Sequence, residues 1–173
     1  MKNYFIFILT TLLLLSSCGI IDKNNAIDYN NSLVEEQELV ADKINEFIDL
    51  INESDSLNAE MVATKRKEVL NFIDVSIEKI NNIGGYNGSE KFKESIIDVM
   101  NSYRNGVQNE YTTLAKFHTL PLEEQTTEGY FETLGIAYIA DSLISIAEGD
   151  FMEAQEVFAA ENELELSPVP ADF

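Results

Sequence analysis

The sequence predicts an all-α fold, an antiparallel up-down four-helix bundle, on the strength of three observations. Apolar residues recur at intervals of three and four residues in four stretches of the chain, which is the period of one face of a helix. Glycine and proline are few, at eight and three in 173 residues. No stretch alternates apolar and polar residues between turn signals, as a strand would. Four periodic stretches with short connections favour a bundle in which consecutive helices are antiparallel neighbours.

The first predicted helix begins at Ala26, and its apolar stripe includes two amides, Asn30 and Gln37. A buried amide without a hydrogen-bond partner costs about 1–3 kcal/mol, so each amide needs a partner or an open end. One interpretation is a polar layer that fixes the register of the helices. The alternative is a small-ligand pocket lined by these amides with the tyrosines Tyr29, Tyr103, Tyr111 and Tyr138. The whole stripe consists of Ile27, Asn30, Val34, Gln37, Ala41, Ile44, Ile48 and Ile51, widened by Leu33, Val40 and Phe47.

The second and third predicted helices each have one clear stripe. Asp55 or Ser56 is expected to cap the second helix, and Gly84-Gly85 to stop it. Ser89 is the candidate cap of the third helix. The second stripe consists of Val62, Val69, Ile73, Ile77 and Ile80, and the third of Phe92, Ile96, Val99, Tyr103, Val107, Tyr111, Leu114 and Phe117.

The fourth predicted helix runs from about Thr127 to Leu164, after an opening at Pro121. The segment Gly149-Asp150-Phe151 is similar to the turn of a tetratricopeptide repeat, so we expect a kink or short break near Gly149. A single copy without a 34-residue period does not make a repeat protein. The bundle domain therefore spans 26–164, and residues 165–173 are predicted to be a disordered tail. The expected stripe consists of Leu134, Ile136, Ile139, Leu143, Ile146, Ala154, Val157 and Phe158.

The N-terminus has the pattern of an export signal. Lys2 precedes an apolar run from Tyr4 to Leu15, which is shorter than the roughly 20 residues that a membrane-spanning helix needs. Residues 1–17 are therefore predicted to be a signal peptide. Cys18 is the only cysteine in the chain, so it cannot form a disulfide within the chain.

The tetrad Leu15-Ser16-Ser17-Cys18 resembles the lipobox of bacterial lipoproteins. The resemblance implies cleavage between Ser17 and Cys18, diacylglyceryl attachment to the Cys18 thiol and acylation, for example with palmitate, of its new amine. Two or three such chains would anchor the protein stably to a membrane, and residues 18–25 would be the tether. The residue after the cysteine is glycine, and by analogy with the best-known sorting system this favours an outer membrane.

The segment from Ala26 to Gln37 resembles the opening of uncharacterised helical surface lipoproteins of spirochaetes and of bacteria of the Bacteroidota type. This resemblance implies a location in the cell envelope and a helical fold, without an activity. The triplet Asp55-Ser56-Leu57 resembles the O-glycan acceptor of some bacteria of the Bacteroidota type, which makes Ser56 a candidate glycosylation site.

The net charge of the chain excludes some classes of binding partner. The formal net charge is −20, and it becomes −21 when residues 1–17 are removed, because Lys2 is the only charged residue among them. Such a surface repels nucleic acid and anionic lipid headgroups. We therefore expect no nucleic-acid partner, a membrane contact made through the lipid, and a protein partner in the envelope.

The residues needed for catalysis or a metal centre are missing from the sequence. Its one histidine, His118, is not part of a Glu-x-x-His di-iron motif or a haem-attachment motif. We expect it at the end of the third helix, where a positive charge complements the helix dipole. The basic triplet Lys65-Arg66-Lys67 is expected to pair with neighbouring acids. The sequence therefore predicts no enzyme, no cofactor and no metal, but a lipid-anchored envelope protein that acts through its surface. The alternative is the small-ligand module near Asn30 and Gln37.

Overall fold

A computed structural model describes the backbone of residues 2–53, 57–86 and 89–166, and the side chains of residues 25–52, 57–86 and 89–166. In these ranges the chain forms helices and no strand. The predicted all-α four-helix bundle is confirmed, since α3 and α4 form one arm that is interrupted only at Asn109. The elements are α1 (Lys2–Glu53), α2 (Ala59–Asn82), α3 (Glu90–Gln108), α4 (Glu110–His118), a 3₁₀ turn (Leu122–Glu124) and α5 (Thr127–Glu161).

Several predictions lie outside what the structure describes. The side chains of Ser17 and Cys18 are among those not described, and so is Ser56. Residues 167–173 of the expected tail lie outside the described chain as well. The signal peptide, the lipid, the glycan and the tail therefore stay predictions. Among the described residues, no helix has both the length and the apolar content to cross a membrane.

The arm formed by α3 is the centre of the bundle, because it packs against α1, α2 and α5, while α4 continues along α5. Large side chains from different helices meet in this core, among them Phe47 of α1, Phe92 of α3 and Phe158 of α5, each almost completely buried. Burying a side chain of this size contributes about 1.5–3 kcal/mol. The packing of these faces, more than helix propensity, holds the arms together.

The predicted stripes of α2 and of the third arm are confirmed. Every member of the third stripe is buried, and the second stripe is buried except for Ile77, which packs against the core from its edge. In α1 the buried face is centred on the residues that were expected only to widen the stripe. Leu33, Val40 and Phe47 are fully buried, whereas Ile27 is exposed.

The predicted stripe of α5 is wrong for five of its eight members, whereas Phe158 is buried as expected and Ala154 packs against the core. Leu134, Ile139, Leu143, Ile146 and Val157 are all exposed. The helix instead buries a face that begins with small side chains and ends with two phenylalanines: Thr133, Ala137, Ala140, Ile144, Phe151 and Phe158. The small residues let α5 approach the central arm closely, and this close approach outweighs the burial of the larger aliphatic side chains on the other side.

The interruption in the bundle lies in the third arm and not in the fourth. Helix α5 is continuous through Gly149, so the expected break there is absent. The helix breaks at Asn109 instead, three residues after Gly106, a residue of low helix propensity. At this break the carbonyl of Gln108 accepts a hydrogen bond from Arg66 of α2 at 3.1 Å, and that of Val107 accepts one from Thr112 at 2.6 Å.

The helix caps differ in part from those expected. The cap of α2 is Asn58, whose side chain accepts hydrogen bonds from the amides of Glu60 and Met61, so the prediction of Asp55 or Ser56 is wrong. Ser89 occupies the cap position of α3 as expected, but its side chain makes no capping hydrogen bond.

Candidate functional site

A row of polar side chains lies along one side of α5 and connects it to the other arms. Asp141, Glu148 and Gln155 follow one another at intervals of seven residues. Seven residues are nearly two helical turns, so the three side chains point in almost the same direction. We call these three residues the polar ladder. Each of them hydrogen-bonds to a residue that belongs to another helix.

The middle of the polar ladder joins three helices through one tyrosine. The Tyr103 hydroxyl donates to Oε1 of Glu148 at 2.5 Å and accepts from Nε2 of Gln37 at 2.7 Å. Tyr103 is almost completely buried. Its burial, and then the hydrogen bond to the Glu148 carboxylate, raise the pKa of Tyr103 well above its ordinary value. The hydroxyl therefore stays protonated and serves as a fixed donor.

A second tyrosine hydrogen-bonds to the polar ladder at Asp141, the member nearest the N-terminus of α5. The Tyr111 hydroxyl of α4 donates to Oδ1 of Asp141 at 2.5 Å. Burial, and then this hydrogen bond, raise the pKa of Tyr111 strongly. The ring of Tyr111 lies against Gly106, where a Cβ atom would come within 3.1 Å of it. The absence of a side chain at Gly106 thus makes room for the tyrosine that reaches Asp141.

At the C-terminal end of the polar ladder, Asn30 of α1 accepts a hydrogen bond from Nε2 of Gln155 at 2.9 Å. Tyr29 lies apart from the polar ladder in an aromatic cluster, with its ring centroid 5.5 Å from that of Phe158 and 6.2 Å from that of Phe92. Burial raises the pKa of Tyr29. Tyr138 of α5 is 72% exposed, so it belongs to neither the polar ladder nor the core.

Of the residues predicted to form a polar cluster, the structure therefore brings only Gln37 and Tyr103 into direct contact. Both amides have partners on other helices, as a polar layer that fixes register requires. Three surface cavities, of about 350, 280 and 400 Å³, are lined by other residues. The small-ligand alternative stays a prediction.

The polar ladder itself was not predicted from the sequence. Its one available signal is the seven-residue spacing of Asp141, Glu148 and Gln155. That spacing would have shown that three polar side chains share one direction, although it would not have named their partners.

The side of α5 that faces away from the other arms is apolar and exposed. Ile146 is 63% exposed and Phe131 66%. No Lys, Arg or His occurs between Thr127 and Glu161, whereas acids occur throughout this helix. Apolar surface that is contiguous and unpaired is typical of interaction sites. We call this surface the α5 outer face and define it as Phe131, Leu134, Tyr138, Ile139, Leu143, Ile146, Met152 and Val157.

A groove of about 350 Å³ runs between the α5 outer face and α3. Small residues, Gly106, Ala140 and Ala147, form its floor. One wall is apolar and comes from α5, with Leu143 and Ile146. The other wall is polar and comes mainly from α3, namely Ser95, Asp98, Ser102 and Asn105, with Glu110 of α4 at one end and Asp150 of α5 on the apolar side. We call it the α3–α5 groove.

Of the basic triplet, only Lys65 forms a salt bridge with another described residue, whereas Arg66 donates to the backbone carbonyl of Gln108. Lys65 forms ion pairs with Glu46 at 2.7 Å and Glu68 at 3.3 Å, which also raise its pKa. His118 is in the last turn of α4, as expected, with its ring edge-on to those of Phe117 and Tyr130. Within the described part of the chain, no group of three His, Cys, Asp or Glu side chains is placed to hold a metal ion.

The chain matches no protein-family model, no curated protein and no solved structure. Any functional assignment therefore depends on the sequence motifs and on the geometry of this bundle.

Proposed function

We propose that this protein is a lipid-anchored component of the bacterial cell envelope that binds another protein through the surface of its helical bundle and catalyses no reaction. The α5 outer face is the observation that carries the proposal. Large apolar side chains are left in solvent along some four turns of one helix, between Phe131 and Ile146. Folding the chain does not bury them, so their contribution is available to an interaction.

The polar ladder supports a role for α5 as a rigid platform. Its hydrogen bonds attach α5 to α1, α3 and α4. A helix that is fixed in this way presents its other side in one orientation, so a partner does not have to order it on binding.

The proposed location of the protein, which we call its address, comes from the sequence. The apolar run from Tyr4 to Leu15 and the lipobox-like tetrad that ends at Cys18 favour export and lipidation. Acyl chains on Cys18 would hold the bundle at a membrane surface, with the acidic domain repelled from anionic headgroups. The glycine after Cys18 favours an outer membrane.

The address is tested by mass spectrometry of the N-terminal peptide from protein purified from bacterial membranes. We expect a chain that begins at Cys18 and carries the mass of a diacylglyceryl group with an added acyl chain. Cys18→Ser is expected to lose this mass and to leave the membrane fraction. Ser17→Ala is the matched control, because it keeps a small residue before the cysteine. A native protein that begins at Met1, or that has no added lipid mass, would refute the address.

The binding role is tested separately from the location of the protein. Chemical crosslinking in intact envelopes is the first screen, with the isolated chain as the reference. We expect crosslinks from residues around the α5 outer face to another protein. If the only crosslinks in envelopes are those already present within the isolated chain, the binding role is wrong.

A further inference from the structure

We infer that the partner that fits this bundle is a basic amphipathic helix, which lies along the α3–α5 groove with its apolar side on α5 and its lysines or arginines toward α3. The inference rests on the proposed function, because it names the chemistry of the partner for the same surface. Three observations carry it, and they concern the shape of the groove, its charge and the alternative of a second copy.

The shape of the groove suits a helix. Its α3 wall runs from Ser95 to Asn105, which at 1.5 Å per residue is about 15 Å, or some three helical turns. Its α5 wall presents Leu143 and Ile146, and the exposed Ile139 lies one turn before Leu143. The three residues are spaced by four and three positions and so form one ridge. A helix with apolar residues at the same spacing can pack against such a ridge.

The charge of the groove requires a basic partner. Asp98, Glu110 and Asp150 line it, and none of the three forms a salt bridge with another described residue. Arg104, which lies six residues from both Asp98 and Glu110, pairs with Asp74 at 2.8 Å instead. A partner without positive charge would leave the three carboxylates facing one another across a partly desolvated groove.

A second copy of this chain meets these requirements poorly. Two outer faces packed together would bring only acids to each other, since α5 carries no cation. Each copy would also add a formal charge of −20 to the assembly. Anionic membrane surfaces are disfavoured for the same reason.

The test uses the full chain in nanodiscs of phosphatidylcholine and a designed helical peptide as the probe. The peptide carries leucines at three- and four-residue spacing and lysines on its other side. A second peptide has glutamate in place of each lysine. We expect the basic peptide to bind above the level of empty nanodiscs, and to bind more weakly as salt is added, because the charges are screened. We expect the acidic peptide to bind at least about tenfold more weakly.

Zero-length carbodiimide crosslinking then maps the contact, because it joins a lysine of the peptide to a carboxylate that touches it. We expect the crosslinks at Asp98, Glu110 and Asp150. Ile146→Ser is expected to weaken binding about tenfold, and Asp98→Asn on the α3 wall several-fold. Val75→Ser and Asp49→Asn are the matched controls, because these residues are exposed and lie outside the groove.

Equal binding of the two peptides, or crosslinks spread over acids elsewhere, would overturn the inference. Self-association that is abolished by Ile146→Ser would show that the α5 outer face binds a second copy of the chain. Binding to anionic vesicles would show that it binds a membrane. Either result would also overturn the inference. These outcomes are independent of the lipid on Cys18. A chain that lacks lipid can still bind the peptide. The experiments therefore distinguish a wrong proposal about lipidation from a wrong inference about the partner.

Discussion

The hydroxyls of Tyr103 and Tyr111 are donors in the interior whose acceptors are carboxylates on α5. Both tyrosines are buried, and a hydrogen bond to a charged acceptor contributes more to stability than one between neutral groups. Each tyrosine therefore stabilises the position of α5 by more than its ring alone contributes.

Replacing either tyrosine by phenylalanine tests this. We expect Tyr103→Phe and Tyr111→Phe each to lower the free energy of unfolding by about 1–2 kcal/mol, because the ring remains and only the hydrogen bond is lost. Tyr138→Phe is the matched control, since its hydroxyl is exposed, and it should change stability by less than about 0.5 kcal/mol. Urea denaturation measures all three. Equal losses from all three substitutions would contradict the account.

The same tyrosines predict a loss of stability in alkali. Their pKa in the folded state is raised above the ordinary value of 10.0. The unfolded chain therefore releases these protons first as the pH rises, so their stabilising contribution is complete below about pH 10 and is lost progressively above it. We expect the melting temperature of the wild type to fall more steeply above that pH than that of the Tyr103→Phe/Tyr111→Phe double variant. Parallel curves would contradict the assignment.

At the scale of residues, the sequence could show that Gln37 and Asn30 need partners but could not identify them. Gln37 and its partner Tyr103 are 66 positions apart in the chain, and Asn30 and its partner Gln155 are 125 positions apart. Hydrogen bonds at such separations depend on how whole helices rotate against one another, which no local pattern encodes. Tyr138 was grouped with the other tyrosines on residue type alone, and the rotation of α5 places it outside.

Among the elements, α5 departs most from the prediction. Large apolar residues occur on nearly every side of it, so its sequence contains several stripes of helical period and does not select one. In α2 and in the third arm, by contrast, polar residues occupy one whole side, and the stripe chosen from the sequence is the buried one. Ala137 and Ala140 favour the observed rotation of α5, because their small side chains let the helix pack closely against its neighbours. Their own hydrophobicity contributes little.

The continuity of α5 and the crowding at Gly106 give a matched pair of substitutions. At Gly149 a Cβ would meet nothing within 4 Å, and the residue lies inside a helix. We expect Gly149→Ala to stabilise the protein by about 0.5–1 kcal/mol, since alanine has the higher helix propensity. At Gly106 the same change would bring a Cβ to 3.1 Å from the ring of Tyr111 and should destabilise the protein.

Thermal or urea denaturation of both variants measures the contrast. A loss of stability from Gly149→Ala would indicate the chain break that the resemblance to a repeat turn suggested. A gain from Gly106→Ala would mean that Tyr111 does not lie where the structure places it.

The whole molecule is held together against its own charge. With a formal charge of −20 and ion pairs that are mostly exposed, repulsion between acids outweighs the attraction within pairs. We therefore expect the melting temperature to rise as sodium chloride is added from low ionic strength, with most of the rise below about 0.1–0.2 M, where the screening length becomes about 10 Å or less. A melting temperature that falls over this range would show that ion pairs dominate instead.

At this scale the composition already predicted a helical bundle and a strongly acidic surface. It did not predict that the acidic surface would be interrupted by an apolar helix face, because that depends on which side of α5 the other three arms cover. The location of the protein and its partner likewise depend on molecules other than this chain.

The central claim is that the α5 outer face is open in the isolated protein and covered by a partner in the cell. Hydroxyl-radical footprinting measures this directly, with the chain first purified and then in intact envelopes. We expect Leu143 and Ile146 to be oxidised in the purified chain and protected in envelopes, because both are exposed and line the groove. The buried Met100 should be protected in both preparations, and the exposed Leu122 should react in both. Equal oxidation of Leu143 and Ile146 in the two preparations, or their protection in the purified chain, would contradict the claim.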